Sequence, residues 1–561
     1  MNRKHLLVVL SLYLTVSTTT SAQPKQGVVI NPVDLSYRFQ PKDQFPSRRE
    51  GSDPVAEFFK GYCYLFASKS SGYWRSRDMA RWEYIPAPSI AIINDYAPTL
   101  LVLGDEMYMT TGSYANPTRI FKTSTPEDGA SWQEVACKIA NPHQYDPAFF
   151  KDDDGRVYFY WGCSNVTPIM GVEVDPMDGF RMKGEPRELI HHQPAEHGWE
   201  QFGADNETHE NGWNEGSAML KVGGKYYLQY ASNGTEFRHY SIGCYVSDNP
   251  LGPFTYVDDS PFSIKPNGFI GSAGHGHIFA DPKGNYWLVG TMLVGQRHMY
   301  ERRVGLFPVT IDEQGPHAAT AMTTYPWRLP KGKVKDVRQL ELHERLLSKH
   351  KTATASSSLE GHLPDKAVDN QVETWWAATT GNVGEWLAVD LGAVEAVDYV
   401  HINLADEGFQ IVEPYDKVVY RYVLEGSKDG EKWFVLADES HSTEDAPHKL
   451  ITLKRRTKMR YVRIINKCVL PGKFSVMDLR IFGKDTRQPL APVTGLKVTR
   501  DTSDPRLFTF SWNAVDDADG YILRWGRDAQ HLTHAATVDT TTYHARYFNR
   551  NSRYAFTVEA Y

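Results

Sequence analysis

A chain of 561 residues is too long for one ordinary domain and sets an expectation of two to four. Its 41% hydrophobic and 23% charged residues are those of a folded globular protein and exclude wholesale disorder. A net charge of -7 excludes the basic surface that nucleic acid or an anionic membrane would need.

Residues 1–22 read as a secretory signal: a basic start at Arg3 and Lys4, an apolar stretch from Leu6 to Val16, and a small-residue cleavage site at Thr20-Ser21-Ala22. The apolar stretch is too short for a stable transmembrane anchor. The expectation is a secreted or periplasmic protein with no membrane span. Cys63, Cys137, Cys163, Cys244 and Cys468 are scattered, with no CxxC or Cys/His cluster of the structural zinc type. Their odd number leaves at least one thiol unpaired; one disulfide is allowed, and the spacing specifies no pairing. Most read as small buried residues.

Over residues 28–330, aromatic and apolar runs recur just after turns. They are Gly61-Tyr62-Cys63-Tyr64-Leu65-Phe66, Glu106-Met107-Tyr108-Met109, Arg156-Val157-Tyr158-Phe159-Tyr160-Trp161, Lys225-Tyr226-Tyr227-Leu228-Gln229-Tyr230 and Asn285-Tyr286-Trp287-Leu288-Val289. A spacing of roughly 40 to 70 residues, with almost no helical periodicity, predicts an all-β chain beginning with a five-bladed β-propeller. A β-sandwich with long insertions is the competing reading. Upstream of the runs stand Asp53, Asp95, Asp146, Glu215 and His275. Each alone would be a turn residue. At the mouths of strands that line one axis, they would converge. Converging carboxylates suit glycoside hydrolysis: an inverting enzyme pairs a carboxylate base with a protonated acid about 6.5 to 9.5 Å away. A third carboxylate helps to keep that acid protonated.

These segments resemble glycoside hydrolase family 43 in order and spacing. "SDPVAEFFKGYCYLFAS" corresponds to the segment carrying the general base, which the resemblance implies is Asp53. "YDPAFFKDDDGRVYFYWG" makes Asp146 the residue that tunes pKa and orients substrate, and "NEGSAMLKVGGKYYLQYA" makes Glu215 the general acid. "GHGHIFADPKGNYWLV" supplies His275, implied to contact substrate or to stand near a water-bound calcium, and "YERRVGLFPV" offers Arg302 or Arg303 for substrate. The acid is followed by Gly-Ser where the family more often has Gly-Pro. The insert from His191 to Gly212 is expected over the site, with Trp199 or Trp213 stacking on a sugar face.

From 346 to 484 the chain resembles a discoidin (factor 5/8 C-type) domain, carried by Ala367-Val368-Asp369, Thr374-Trp375 and Trp386-Leu387-Ala388-Val389-Asp390-Leu391-Gly392. The resemblance implies a jelly-roll β-sandwich, similar in secreted glycosidases to a carbohydrate-binding module that often holds a structural calcium. Trp375 and Trp386 read as core rather than as ligand contacts. Residues 489–561 resemble a fibronectin type III sandwich with Trp512 and Tyr521 in its core and the last strand missing.

Together these resemblances imply a secreted, exo-acting, inverting glycosidase on oligo- or polysaccharide that needs no cofactor. α-L-Arabinofuranoside is the first expected substrate, with β-xyloside or galactofuranoside as alternatives. The competing reading is a non-catalytic glycan-binding or adhesive protein. A sialidase-type propeller is prompted only by "STPEDGASW" and lacks the arginine cluster and tyrosine nucleophile.

Overall fold

Each aromatic run forms the second strand of an antiparallel blade, and five blades follow one another, four of four strands and the third with a fifth strand, Arg187–Ile190, added to it. Blade 1 opens with the inner strand Val55–Phe59, followed by Tyr62–Phe66. The inner strands of blades 2 to 5 are Tyr96–Leu103, Ala148–Lys151, Glu215–Val222 and Gly271–Ala280. Inner strands pack each against the next, and that of blade 5 against that of blade 1, so the ring closes. The computed structural model describes residues 27–40, 46–112, 117–139, 144–411 and 418–561; the signal-like segment 1–22 lies outside them.

The runs are apolar and aromatic at nearly every position because blades are stacked face to face. Val157–Trp161 is buried at every residue, on both faces of its sheet. Tight turns join the first two strands of each blade. In blade 4, Gly223 and Gly224 both have positive φ (59° and 81°), as a type I′ hairpin requires. The ring is braced by the start of the chain. Val28–Val29 pairs with Trp327–Arg328, and the Asn31 amide both donates to and accepts from the backbone of Leu306 in blade 5.

The second unit runs from Glu344–Leu346 to Ser475–Lys484. Its strands Trp386–Leu404 and His448–Leu470 are long enough to bend and serve both layers of a β-sandwich, with register shifts at Asp390/Glu395 and Val397/Tyr399. The buried tryptophan at its centre is Trp376, whose Nε1 donates to Ser357 O (3.1 Å). This corrects the expectation for Trp375 and Trp386, which are only half-buried. Trp375 faces the propeller instead, with the Arg297 guanidinium 5.5 Å from its ring.

The third unit is a small sandwich of two three-stranded sheets. Trp512 and Tyr521 are buried in it with rings 5.4 Å apart. Its sixth strand, Ala555–Ala560, pairs with Tyr521–Gly526. Arg506 and Arg550 of this unit bond residues 196–208 of the insert expected over the site: Arg506 donates to Asn206 O (3.0 Å) and Thr208 O (3.2 Å), and Glu196 O accepts from Arg550 N (2.7 Å). The insert is thus the platform on which the third unit docks. All five cysteines are free thiols, so no disulfide contributes.

Candidate active site

Every inner strand is entered through one residue in the left-handed region: Asp53 (φ 49°), Ala97 (49°), Asp146 (47°), Gly216 (64°) and Ser272 (69°). For a non-glycine residue this costs about 1–2 kcal/mol, and its repetition marks the structurally equivalent positions. Asp53 and Asp146 are equivalent. Glu215 lies one residue before its counterpart, His275 three after, and Asp95 two before. The five residues thus do not share one offset from the strand entrance. Register shifts follow the turn in blades 2, 4 and 5 and re-aim the side chains, as bulges beside active sites commonly do. Asp95 is half-buried and stands outside the network described next.

The remaining four groups come together. His275 Nδ1 is 3.4 Å from Asp53 Oδ1 and 3.6 Å from Asp146 Oδ2. Ligating atoms of Asp146, Cys163 and Glu215 lie within 4.8 Å of one another. Asp53 is held by Ser68 Oγ (2.6 Å), Ser52 Oγ (2.9 Å) and Arg302 Nη1 (3.3 Å). Glu215 accepts from Tyr240 OH on Oε1 (2.5 Å) and from the Cys163 thiol on Oε2 (3.1 Å). Asp146 Oδ2 accepts from Gly216 N (3.1 Å).

Glycine is required at 216 twice over: its φ is left-handed, and a Cβ there would sit 2.8 Å from the His275 ring. Proline follows the left-handed residue in blades 1 to 3. In blade 4, Ser217 stands there and its Oγ donates to Asp146 O (3.4 Å), which accounts for the Gly-Ser step. Gly274 lacks the Cβ that would strike Tyr240, so that ring can reach Glu215.

The carboxyl groups are pushed in opposite directions. Burial raises Asp53, but Arg302, His275 and the Ser68 and Ser52 hydroxyls outweigh it and hold its pKa below the ordinary value. Burial raises Glu215 above the ordinary glutamate value against the hydrogen bonds from Tyr240 and Cys163, with repulsion from Asp53 adding to it. Burial, then Glu215 and Asp53, raise Asp146 well above its usual value. Both shifts favour the protonated form of these two neighbouring groups. Burial lowers His275, so its ring is neutral between them. A carboxylate whose charged form is favoured, beside two whose protonated forms are favoured, is an arrangement able to take a proton from one side of a bond and give one to the other.

Of the two candidate arginines, Arg302 reaches the carboxylates; its neighbour Arg303 points to the opposite face of the strand and bonds His448 (2.9 Å). Sequence reasoning missed Cys163, Ser68, Thr235, Tyr240 and Glu50, each brought in from another blade or strand. Only Gly274, beside His275, gave a local hint of a close approach. The resemblance also implies a water-bound calcium near His275. The oxygens against its ring, from Asp53 and Asp146, are already turned to Arg302 and the Gly216 amide, a poor match for a cation that takes six to eight oxygen ligands.

Trp213 is half-buried two residues ahead of Glu215. Trp199 is corrected: it is fully buried, its Nε1 donates to Tyr256 OH (2.9 Å), and its ring packs on Gly243. Trp199→Ala is therefore expected to lower stability by about 3–5 kcal/mol in denaturant titration. Trp213→Ala is expected to raise KM about two- to tenfold with little change in the unfolding midpoint. A cavity of about 650 Å³ between blade 5 and the third unit contains none of these groups; the carboxylate constellation, not cavity size, marks the site.

Fold and site together define a class: an all-β propeller with a cluster of buried carboxyl groups where its inner strands begin. Residues 47–316 match the family model described as glycosyl hydrolases family 43, and residues 352–468 match that of the F5/8 type C domain. The chain thus carries a family 43 glycosyl hydrolase domain followed by an F5/8 type C domain. It is 28% identical over 169 residues to a "Beta-xylosidase" of Xylanibacter ruminicola, covering 27% of this chain and 49% of that protein. It is 31% identical over 158 residues to an "Arabinoxylan arabinofuranohydrolase" of Paenibacillus polymyxa, covering 26% and 22%. The matches span about half or less of these relatives. A solved "Glycoside hydrolase" aligns at 19% identity with a TM-score of 0.47, covering 80% of this chain and 99% of that one.

Proposed function

We propose that the protein is a secreted, exo-acting, inverting glycosidase that removes terminal pentofuranosyl or pentosyl residues from polysaccharide, with α-L-arabinofuranoside as the first substrate. The single observation that carries this reading is the convergence of the Asp53, Asp146 and Glu215 carboxyl groups, from three inner strands, beside the His275 ring. Asp53 takes the proton of a water attacking the anomeric carbon. Glu215 gives its proton to the departing oxygen from the other side. Burial and the nearby Asp53 charge favour the protonated form of Glu215, and Asp146, with His275 and Arg302, orients the sugar. The names of the relatives, a xylosidase and an arabinofuranohydrolase, support a pentose at the cleaved position. The F5/8 type C unit is read as contributing to glycan engagement, and the signal-like first 22 residues support secretion.

Aryl α-L-arabinofuranoside, β-D-xyloside, β-D-galactofuranoside and β-D-galactoside test the reading, with the product anomer followed by proton NMR during the first minutes of hydrolysis. Release of the inverted anomer from at least one pentoside is expected. A retained anomer would contradict the assigned roles. Glycan binding by calorimetry with no hydrolysis across the panel would replace the enzyme by an adhesive protein.

A further inference from the structure

The two segments that bear Asp53 and its counter-ion are held from outside the propeller. Arg49, four residues before Asp53, is fully buried. Its guanidinium has five N–H donors, and all of them are used. Nε and Nη2 donate to Asp406 (2.8 and 3.2 Å), Nη2 and Nη1 to Asp445 (2.7 and 2.9 Å), and Nη1 also to Tyr37 O (2.9 Å). Asp406 and Asp445 both belong to the discoidin-type unit. Phe39 covers one face of the guanidinium at 4.4 Å. Just upstream, Ser47 Oγ donates to Ile411 O (3.2 Å) and accepts from Ile411 N (2.8 Å) of the same unit.

The second segment is gripped likewise. Arg303 Nε donates to His448 Nε2 of the discoidin-type unit (2.9 Å). Burial first, then Arg303, keep His448 neutral, and its Nδ1–H donates to Asn403 Oδ1 (2.8 Å), which leaves Nε2 free to accept. The same arginine donates through Nη1 to Arg49 O (3.2 Å) and Arg302 O (3.0 Å), stitching the two segments together. Gln296 donates to Val372 O (2.6 Å) and Arg297 to Ala405 O. Between these anchors, Arg302 spans Glu50 Oε1 (3.4 Å), Thr235 Oγ1 (2.8 Å) and Asp53.

We propose that the discoidin-type unit is a working part of the active site: through Asp406, Asp445 and His448 it clamps Arg49 and Arg303, and so positions the base Asp53 and its counter-ion Arg302. Asp406, Asp445 and His448 touch no substrate; they are positioning residues. The clamp uses planar, bidentate pairing, so it sets angle as well as distance. The positioning of the base and the docking of the second unit are therefore coupled, and a propeller freed of that unit would be a poor catalyst even on a small aryl glycoside. The inference rests on the reading of Asp53 as base.

The test uses the full chain carrying Asp406→Asn and Asp445→Asn together. With the clamp loosened, Arg302 stands less firmly on Asp53 and its carboxylate is less stabilised. The acid limb of the kcat/KM profile should move up by about half a pH unit or more, with kcat down about tenfold. Hydrogen exchange should quicken in residues 46–53 and 296–303. Asp519→Asn is the control. It loosens a different junction, where Asp519 accepts from Arg345 (2.6 and 2.9 Å), and should leave both readouts as in the wild type. Should the double variant fail to fold, Asp445→Asn alone keeps the Asp406 arm and should show a smaller shift of the same sign. An unmoved acid limb with unchanged exchange, or an equal shift in the Asp519 control, overturns the clamp. Wild-type rates in Asp53→Asn would instead overturn the base reading, leaving exchange to judge the clamp alone.

Discussion

Asp53→Asn is expected to lower kcat/KM about 100- to 10,000-fold on every cleaved glycoside, whatever its leaving group. The amide keeps the size and can still accept from Ser52 or Ser68, but it cannot take the proton of the attacking water. The effect does not depend on the leaving group because activation of water precedes or accompanies bond cleavage for all substrates. In the wild type, the base must be ionised. Its pKa is held below the ordinary carboxylate value by Arg302, His275 and two hydroxyls against the upward pull of burial. The acid limb of the profile should accordingly lie below the ordinary aspartate range, with activity persisting as pH falls until Asp53 protonates. Steady-state rates across pH check both statements. A variant within tenfold of wild type would remove Asp53 from the mechanism.

Glu215→Gln is expected to act selectively. Loss of the proton donor should cost about 100- to 10,000-fold on alkyl or sugar leaving groups, and much less on a dinitrophenyl glycoside, whose anion departs without protonation. The basic limb should change with it. In the wild type, burial and neighbouring charge raise the Asp146–Glu215 pair, so activity falls only as pH rises through that raised value. Without Glu215 this limb should vanish on the activated substrate. Equal losses on the two leaving groups would assign Glu215 to substrate binding rather than to proton transfer. Tyr240 and Cys163 hold both carboxyl oxygens, so the variant amide has partners and the fold should be retained.

Much of this molecule is legible in local sequence. The aromatic runs announce five blades because each second strand is buried on both faces, as in Val157–Trp161. Asp53-Pro54 and Asp146-Pro147 announce strand entrances because a left-handed residue opens each inner strand. Glu215 and His275 reach the same place from different offsets, through the shifted registers of blades 4 and 5. Trp199 and Trp213 show the limit. Both look like sugar platforms in sequence, but Trp199 is sealed under Tyr256 and Gly243 because the insert folds back to receive the third unit.

What the sequence determined by itself was therefore whatever neighbours along the chain enforce: turn chemistry, strand burial, and the order of the acids. What only the tertiary structure decided was distance between residues far apart in the chain. Asp53 and Arg302 stand 249 positions apart and meet because the ring closes. The choice of Arg302 over Arg303 depended on which strand face turns inward, and that face is set by how blade 5 meets blade 1 and the discoidin-type unit. The grip of Asp406 and Asp445 on Arg49 has no local signature, since nothing near any of the three residues requires the others. Packing of closed rings and docked domains is a property of the whole chain, and the protonation states of the acids follow from it.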